Sequence, residues 1–188
     1  MPLKVLVIIA VLLLSACQPK PWRTTDVSGR LPDLDFTLVD TQGQVRHGAD
    51  FRGKVTLLFT GFTHCPAVCP ATLARLATVL ETLKADPETV QVLFVSLDPE
   101  RDTPEALAAY VRRFGPWFVG LTGDRDQLDA LTKRYFLGYR KEGEGRDYDV
   151  VHSDIILIFD RQGHARLLAR SQTPLEDLQA DLERLLAE

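Results

Sequence analysis

The stretch that decides the fold is KVTLLFTGFTHCPAVCP, residues 54–70. Residues 54–60 form a dense apolar run, which is typical of a central strand covered on both faces. Cys65 and Cys69 follow this strand directly. The residues after them predict a helix, because one face of it would carry Leu73, Leu76, Leu80 and Leu83. We therefore predict a buried strand, a loop that carries a cysteine pair, and an amphipathic helix.

The flanking sequence alternates between strand and helix patterns. The predicted elements are a β-hairpin (31–51), a strand (91–97), two helices (103–114 and 124–136) with a short strand between them, a strand (155–159), a turn (160–163) leading into residues 165–169, and a C-terminal helix. Thr103 is expected to cap its helix and Pro104 to occupy the first position. The charged, glycine-rich stretch 141–149 is predicted to be a loop. This order resembles the thioredoxin fold, an α/β architecture with a central mixed sheet flanked by helices and, here, an N-terminal β-hairpin.

Residues 1–16 are predicted to be a lipoprotein signal peptide. Lys4 precedes an apolar run, residues 5–14, that is shorter than the roughly 20 residues of a membrane span. The residues that end in Cys17 resemble a bacterial lipobox, so Cys17 is expected to be lipidated; simple cleavage and an uncleaved anchor are the alternatives. Residues 17–30, which contain two prolines and no apolar periodicity, are predicted to be a tether. Residues 31–188 would then be a single domain, anchored to a membrane and facing the periplasm or cell exterior.

The charge of the chain argues against one class of partner. The formal net charge is −4, and removal of Lys4 with the leader leaves 21 positive against 26 negative charges, or −5. Nucleic-acid binding requires clustered lysine and arginine on one face, so a nucleic-acid partner is not expected. The sequence shows no repeats, and we expect a monomer.

Cys65 and Cys69 remain once Cys17 is assigned to the anchor. A disulfide across so short a loop stabilises a fold very little, so the pair indicates redox or metal chemistry. Oxidoreductases of the thioredoxin type use Cys-x-x-Cys, whereas three residues separate this pair. They also have a proline that faces the cysteines just before the third strand. This chain has no proline between Pro116 and Pro174 and carries His152 in that region.

His152 is therefore predicted to face the two sulfurs. Two thiolates and one imidazole suit Cu(I) in trigonal geometry, or Cu(II) with an added ligand. Zinc would accept the same residues, but a structural zinc usually has four protein ligands. A redox role for the pair stays open. His64, beside Cys65, could be a fourth ligand, but we expect it to point away from the metal and to lie beside the site or dock a partner. His47 and His164 are predicted to be surface residues.

Three motifs together resemble those of the Sco/SenC copper chaperones. They are GFTHCPAVCP (61–70), SLDPERDTP (96–104) and VHS (151–153). The resemblance implies a thioredoxin-like, membrane-tethered protein that assists copper insertion into cytochrome c oxidase, with copper held by Cys65, Cys69 and His152. It implies two partners, the dinuclear copper centre of oxidase subunit II and an upstream periplasmic copper donor. It also implies that Asp98 and Arg101 lie beside the metal site and orient a ligand or dock a partner; otherwise they are a strand-end residue and a solvated charge.

Two functions fit these residues. The first is a copper chaperone, a binding protein that delivers its metal by ligand exchange and is not an enzyme. The second is a thiol-disulfide reductase that prepares the oxidase cysteines for metallation, with Cys65 and Cys69 as the catalytic pair. A thiol peroxidase fits poorly, because it needs a helix-borne cysteine with an arginine partner and only the distant Arg101 is available.

Overall fold

The computed structural model describes residues 20–145 and 147–188. The predicted signal peptide and Cys17 lie outside this range. The strands are β1 (Thr25–Asp26), β2 (Thr37–Asp40), β3 (Val45–His47), β4 (Val55–Gly61), β5 (Val90–Ser96), β6 (Phe118–Thr122), β7 (Tyr139–Glu144), β8 (Asp147–His152), β9 (Ile156–Phe159) and β10 (Ala165–Ala169). The helices are α1 (Val68–Thr82), α2 (Pro104–Arg112), α3 (Arg125–Arg134) and α4 (Leu175–Ala187). Within the described ranges, no helix is long and apolar enough to cross a membrane.

Eight strands form one mixed sheet in the order β1-β10-β9-β4-β5-β6-β2-β3. The three central strands β4, β5 and β6 run parallel, and β9 is antiparallel to β4. Every residue of β4 and of β5 is buried, as expected for strands covered on both faces. The thioredoxin-like α/β fold predicted from the sequence is confirmed, including the N-terminal hairpin of β2 and β3.

The start of α2 agrees with the prediction from its capping residues, whereas the start of α1 differs from the prediction. Thr103 caps α2 by accepting a hydrogen bond from the amide of Ala106 at 3.2 Å, and Pro104 takes the first position, as predicted. Because Pro70 suits the first turn of a helix, the sequence predicts that Cys69 caps α1, and this prediction is wrong. The helix begins at Val68, one residue before the cysteine, because Pro70 is accommodated within the first turn. Amides of the first turn have no partner inside the helix, so a proline there sacrifices no hydrogen bond.

The predicted tether includes residues that pack against the body of the protein. Trp22 lies against the hydrophobic core, and β1 pairs with β10. The amides of Arg23 and Thr24 donate to the buried carboxylate of Asp181 on α4, Thr24 at 2.7 Å. The folded body therefore extends upstream of residue 31.

Residues 141–149 were predicted to be a loop, and this prediction is wrong. They belong to a hairpin in which β7 and β8 pair with each other in a separate two-stranded sheet. The turn at Gly145 has a φ of +63°, a conformation that glycine adopts without strain. Because this ribbon lies outside the main sheet, it does not need the apolar residues on both faces that mark the central strands. The hairpin ends at His152, the histidine that is predicted to face the cysteines.

Candidate metal centre

The two cysteines lie at the end of β4 and the start of α1. Cys69 is fully buried, whereas Cys65 lies on the connecting loop and is partly exposed. Both thiols are free. The amide of Cys69 donates to the sulfur of Cys65 at 3.4 Å. Ala67, the residue that caps α1, provides no side-chain hydrogen bond, so the thiol sulfur accepts from one of the otherwise unsatisfied amides of the helix start.

Gly61 allows β4 to approach the buried cysteine closely. A Cβ atom at this position would lie 2.8 Å from the Sγ of Cys69 and 2.8 Å from a ring carbon of Phe94. Real Cβ atoms essentially never approach other heavy atoms this closely. The missing side chain therefore makes the space in which the sulfur of Cys69 lies.

His152 meets the buried cysteine from the other side. Its Nε2 lies 3.4 Å from the Sγ of Cys69, and its Nδ1 lies 3.1 Å from the carbonyl oxygen of Ser153. A carbonyl only accepts, so this contact places the ring proton on Nδ1 and leaves the lone pair of Nε2 directed at the sulfur. Phe59 and Phe62 pack edge-on against the imidazole, with centroids 5.9 and 6.3 Å away. The predicted meeting of His152 with the cysteine pair is therefore seen directly for Cys69.

Cys65 stands apart from this contact. The ligand atoms of Cys65, Cys69 and His152 are not all within 4.8 Å of one another in the described part of the chain. Since Cys69 and His152 are in contact, the longer separation involves Cys65. Metal coordination by all three side chains would require the Cys65 side chain, on its partly exposed loop, to swing toward the other two.

Burial raises the pKa of the Cys69 thiol, because a thiolate there would lose its contact with water. A position at the start of a helix would by itself predict a lowered pKa, because the amides there favour a thiolate. Burial outweighs this effect at Cys69, and the Cys69 amide is directed at the sulfur of Cys65. The buried thiol is therefore held in its neutral form at neutral pH, and a metal ion that binds there must displace the proton.

We expect the two thiols to differ sharply in reactivity. Brief treatment of the reduced protein with iodoacetamide at neutral pH should label Cys65 well before Cys69, because the reactive thiolate is disfavoured at the buried site. Peptide mapping by mass spectrometry measures both rates. At moderately alkaline pH, labelling of Cys69 should still lag behind that of Cys65, because burial raises the pKa of the Cys69 thiol. Equal rates at the two cysteines would contradict this description of the site.

His64, the possible fourth ligand, is directed at Asp102 and not at the cysteines, which agrees with the expectation that it points away. Its Nδ1 lies 3.2 Å from the carboxylate of Asp102, which also accepts from the amide of Thr63 at 2.8 Å and from the hydroxyl of Ser96 at 2.5 Å. His64, Asp98 and Asp102 place their ligand atoms within 4.8 Å of one another. Both carboxylates are already occupied by protein donors, so this cluster is an internal hydrogen-bond network. Asp102 was missed as its centre, although it lies in the same 96–104 motif as Asp98.

Asp98 and Arg101 lie beside the hairpin that carries His152. Arg101 donates to Asp98 and to the backbone carbonyl of Tyr148, and the hydroxyl of Tyr148 donates to Asp98. Asp98 lies just after the end of β5, as expected for a strand-end residue, and it is fully buried. Tyr148 was not predicted from the sequence. Its only signal was the alternation of Tyr148, Val150 and His152 along one face of a strand.

Comparison with known proteins identifies relatives over nearly the whole described chain. The family model SCO1/SenC matches residues 28–187. The mitochondrial protein SCO2 homolog from Bos taurus is 44% identical over 133 residues, which cover 69% of this chain. The matched region spans 50% of the length of the bovine protein.

Two solved structures resemble the present one over nearly the whole of their own chains. ScoI from Bradyrhizobium japonicum, solved with copper bound, is 34% identical, with a TM-score of 0.73 over 81% of this chain and 98% of that one. Apo Sco1 from Thermus thermophilus is also 34% identical, with a TM-score of 0.78 over 88% of this chain and 97% of that one.

Proposed function

The chain belongs to the SCO1/SenC family, and on this premise we propose that it binds copper through Cys65, Cys69 and His152. The observation that carries the proposal is the 3.4 Å contact between the Sγ of Cys69 and the Nε2 of His152, with a second thiol on the adjoining loop. Two soft sulfur donors and one imidazole are a donor set that suits copper. The copper-bound structure of the Bradyrhizobium relative supports this choice of metal.

The cargo would be passed on by ligand exchange. Cys69 is fully buried, whereas Cys65 and His152 are both partly exposed. An acceptor protein would therefore compete first for the positions of Cys65 and His152 and last for that of the buried Cys69. We propose, from the resemblance to Sco/SenC chaperones, that the acceptor is the dinuclear copper centre of cytochrome c oxidase subunit II and that a periplasmic protein supplies the copper.

We also propose that Cys17 carries a lipid anchor, which would hold the domain at a membrane and direct it to the periplasm or cell exterior. The support is the leader of residues 1–16 and its lipobox-like end. Stable anchoring would require more than one acyl chain, since a single chain binds a membrane only marginally. Labelling of cells with radioactive palmitate tests the proposal, and undiminished label on a Cys17→Ser protein would refute it.

Copper titration of the reduced domain tests the donor set. We expect about one copper per chain and a sulfur-to-copper charge-transfer band in the Cu(II) form, as thiolate ligation produces. Cys65→Ser should weaken and shift the band, because one of the two thiolate ligands is lost. His47→Ala is the matched control, because His47 is exposed and lies on the β2–β3 hairpin, and it should behave as the unaltered protein does. An unchanged band in Cys65→Ser would contradict the proposed ligands.

A thiol-disulfide reductase is the second candidate function. The asymmetry of the pair favours it, because the accessible Cys65 could attack a substrate disulfide and the buried Cys69 could resolve the mixed disulfide. The disulfide and copper-bound forms exclude each other. In a deletion strain, restoration of oxidase by added copper would favour delivery, and restoration by added reductant alone would favour the reductase.

A further inference from the structure

The hairpin that carries His152 is not part of the main sheet. Strands β7 and β8 pair with each other, and in the described residues neither has a ladder to the eight-stranded sheet. The open end of the hairpin lies next to His152, where the amide of Gly138 donates to the hydroxyl of Ser153 at 2.8 Å and the amide of Ser153 donates to the carbonyl of Gly138 at 2.9 Å. These bonds join the two strands to each other, and this end is attached to the body through the chain that leads from α3 and into β9. A ribbon held at one end can pivot, so the direction of the imidazole also depends on what holds the other end.

Three residues contribute to holding that other end, beside the ion pair of Lys141 on β7 with Glu100. We call them the hairpin clamp: Asp98, Arg101 and Tyr148. The Nε of Arg101 donates to Asp98 at 2.5 Å, and its Nη1 donates to the backbone carbonyl of Tyr148 at 2.9 Å. The guanidinium carbon lies 3.7 Å from the centroid of the Tyr148 ring, a cation–π contact. The hydroxyl of Tyr148 closes the ring of contacts by donating to the second carboxylate oxygen of Asp98.

The clamp and the copper ligand share one face of one strand. Side chains two residues apart on a strand point to the same face, so Tyr148, Val150 and His152 all face the body of the protein. Val150 is buried, as this alternation requires. The clamp therefore fixes the same face of β8 that presents the imidazole. Tyr148 and His152 are four residues apart, which corresponds to about 14 Å along the strand.

We propose that Arg101 and Tyr148 are positioning residues for His152, held in place by the buried carboxylate of Asp98. With the clamp closed, the hairpin is fixed at both ends and the Nε2 of His152 stays within reach of the Sγ of Cys69. Each carboxylate oxygen of Asp98 is occupied by a clamp donor, so Asp98 acts on the site through the hairpin. This proposal rests on the proposed function, in which His152 is a copper ligand.

Tyr148→Phe tests the clamp with the smallest change, because it keeps the ring and removes only the hydroxyl that satisfies a buried carboxylate. We expect Cu(I) affinity to fall about tenfold, in line with the strength of a hydrogen bond to a charged group. Arg101→Lys should act in the same direction, since lysine lacks the forked donor geometry. Arg140→Ala is the control on the same hairpin. The Arg140 side chain is 67% exposed and pairs with Glu142 on its own strand, so its loss should leave the affinity unchanged.

The same Tyr148→Phe change in a His152→Ala background decides whether the clamp acts through His152. We expect no further loss of affinity there, with weakened nitrogen coupling in the Cu(II) resonance spectrum of Tyr148→Phe alone. A full tenfold loss in the His152→Ala background, or no loss in the unaltered background, would overturn the proposal. If His152→Ala itself leaves copper affinity unchanged, the proposed ligand set fails and the clamp proposal fails with it. If only the clamp proposal is wrong, His152→Ala will still lower copper affinity, whereas Tyr148→Phe will not act through His152.

Discussion

Replacement of His152 by alanine is expected to weaken copper binding by at least about a hundredfold, because even the outer-shell partners of metal ligands are typically worth 10–100-fold. The remaining cysteines would hold copper with sulfur alone. The protein should still fold. The imidazole makes two edge-on aromatic contacts, with Phe59 and Phe62, and their loss should lower the free energy of unfolding by about 1–2 kcal/mol. Competition with a Cu(I) chelator and chemical denaturation measure the two effects separately.

His164→Ala is the matched control for this substitution. His164 is exposed, and its Nδ1 lies 3.3 Å from an oxygen of Asp160. Its replacement by alanine therefore also removes a side-chain contact of a histidine. It follows β9 at the end of the sheet away from the cysteines, since Phe159 pairs with Thr56 and Ile156 with Phe59. Its removal should leave copper affinity unchanged. Similar losses for both histidines would mean that the effect does not come from the cysteine site.

Replacement of Gly61 by alanine is expected to damage both the fold and the copper site. The added Cβ would lie 2.8 Å from the Sγ of Cys69 and 2.8 Å from the ring of Phe94, and all three positions are buried. Overpacking of this kind costs about 1–3 kcal/mol of the free energy of unfolding. Relief of the contact must displace Cys69, so copper affinity should fall about 10–100-fold, as it does when a ligand loses its orientation.

Gly138→Ala separates this steric effect from a general sensitivity of glycines near the site. Gly138 lines the same small cavity as His152, but the nearest atom to an added Cβ is the Oγ of Ser153 at 3.8 Å, an ordinary contact. Stability and copper affinity should both stay close to those of the unaltered protein. A Gly61→Ala protein with unaltered copper affinity would show that the position of Cys69 does not matter for binding.

The elements that could be predicted from the sequence are those determined by local patterns. The apolar run of β4 follows from burial on both faces, and the start of α2 follows from the capping chemistry of Thr103 and Pro104. The pairing of His152 with Cys69 could also be anticipated, because the order of elements indicated which segment faces the cysteines. These features depend on neighbours in sequence or on the topology alone.

The features that could not be predicted depend on contacts between distant residues. Asp98 and Tyr148 are 50 residues apart and their contact leaves no local pattern in either segment. The hairpin of β7 and β8 escaped detection because a ribbon with one covered face carries few apolar residues. The raised pKa of Cys69 could not be predicted for a related reason. It is caused by the burial of the sulfur beneath the end of β4, and a position at the start of a helix does not reveal how deeply a side chain is buried.

X-ray absorption spectroscopy of the Cu(I)-loaded protein tests the central claim most directly, because it counts the donor atoms around the metal. The proposed site predicts two sulfur donors and one nitrogen donor, from Cys65, Cys69 and His152, and it predicts that His152→Ala keeps the sulfurs and loses the nitrogen. A copper shell without nitrogen in the unaltered protein, or a shell of nitrogen and oxygen donors alone, would contradict it.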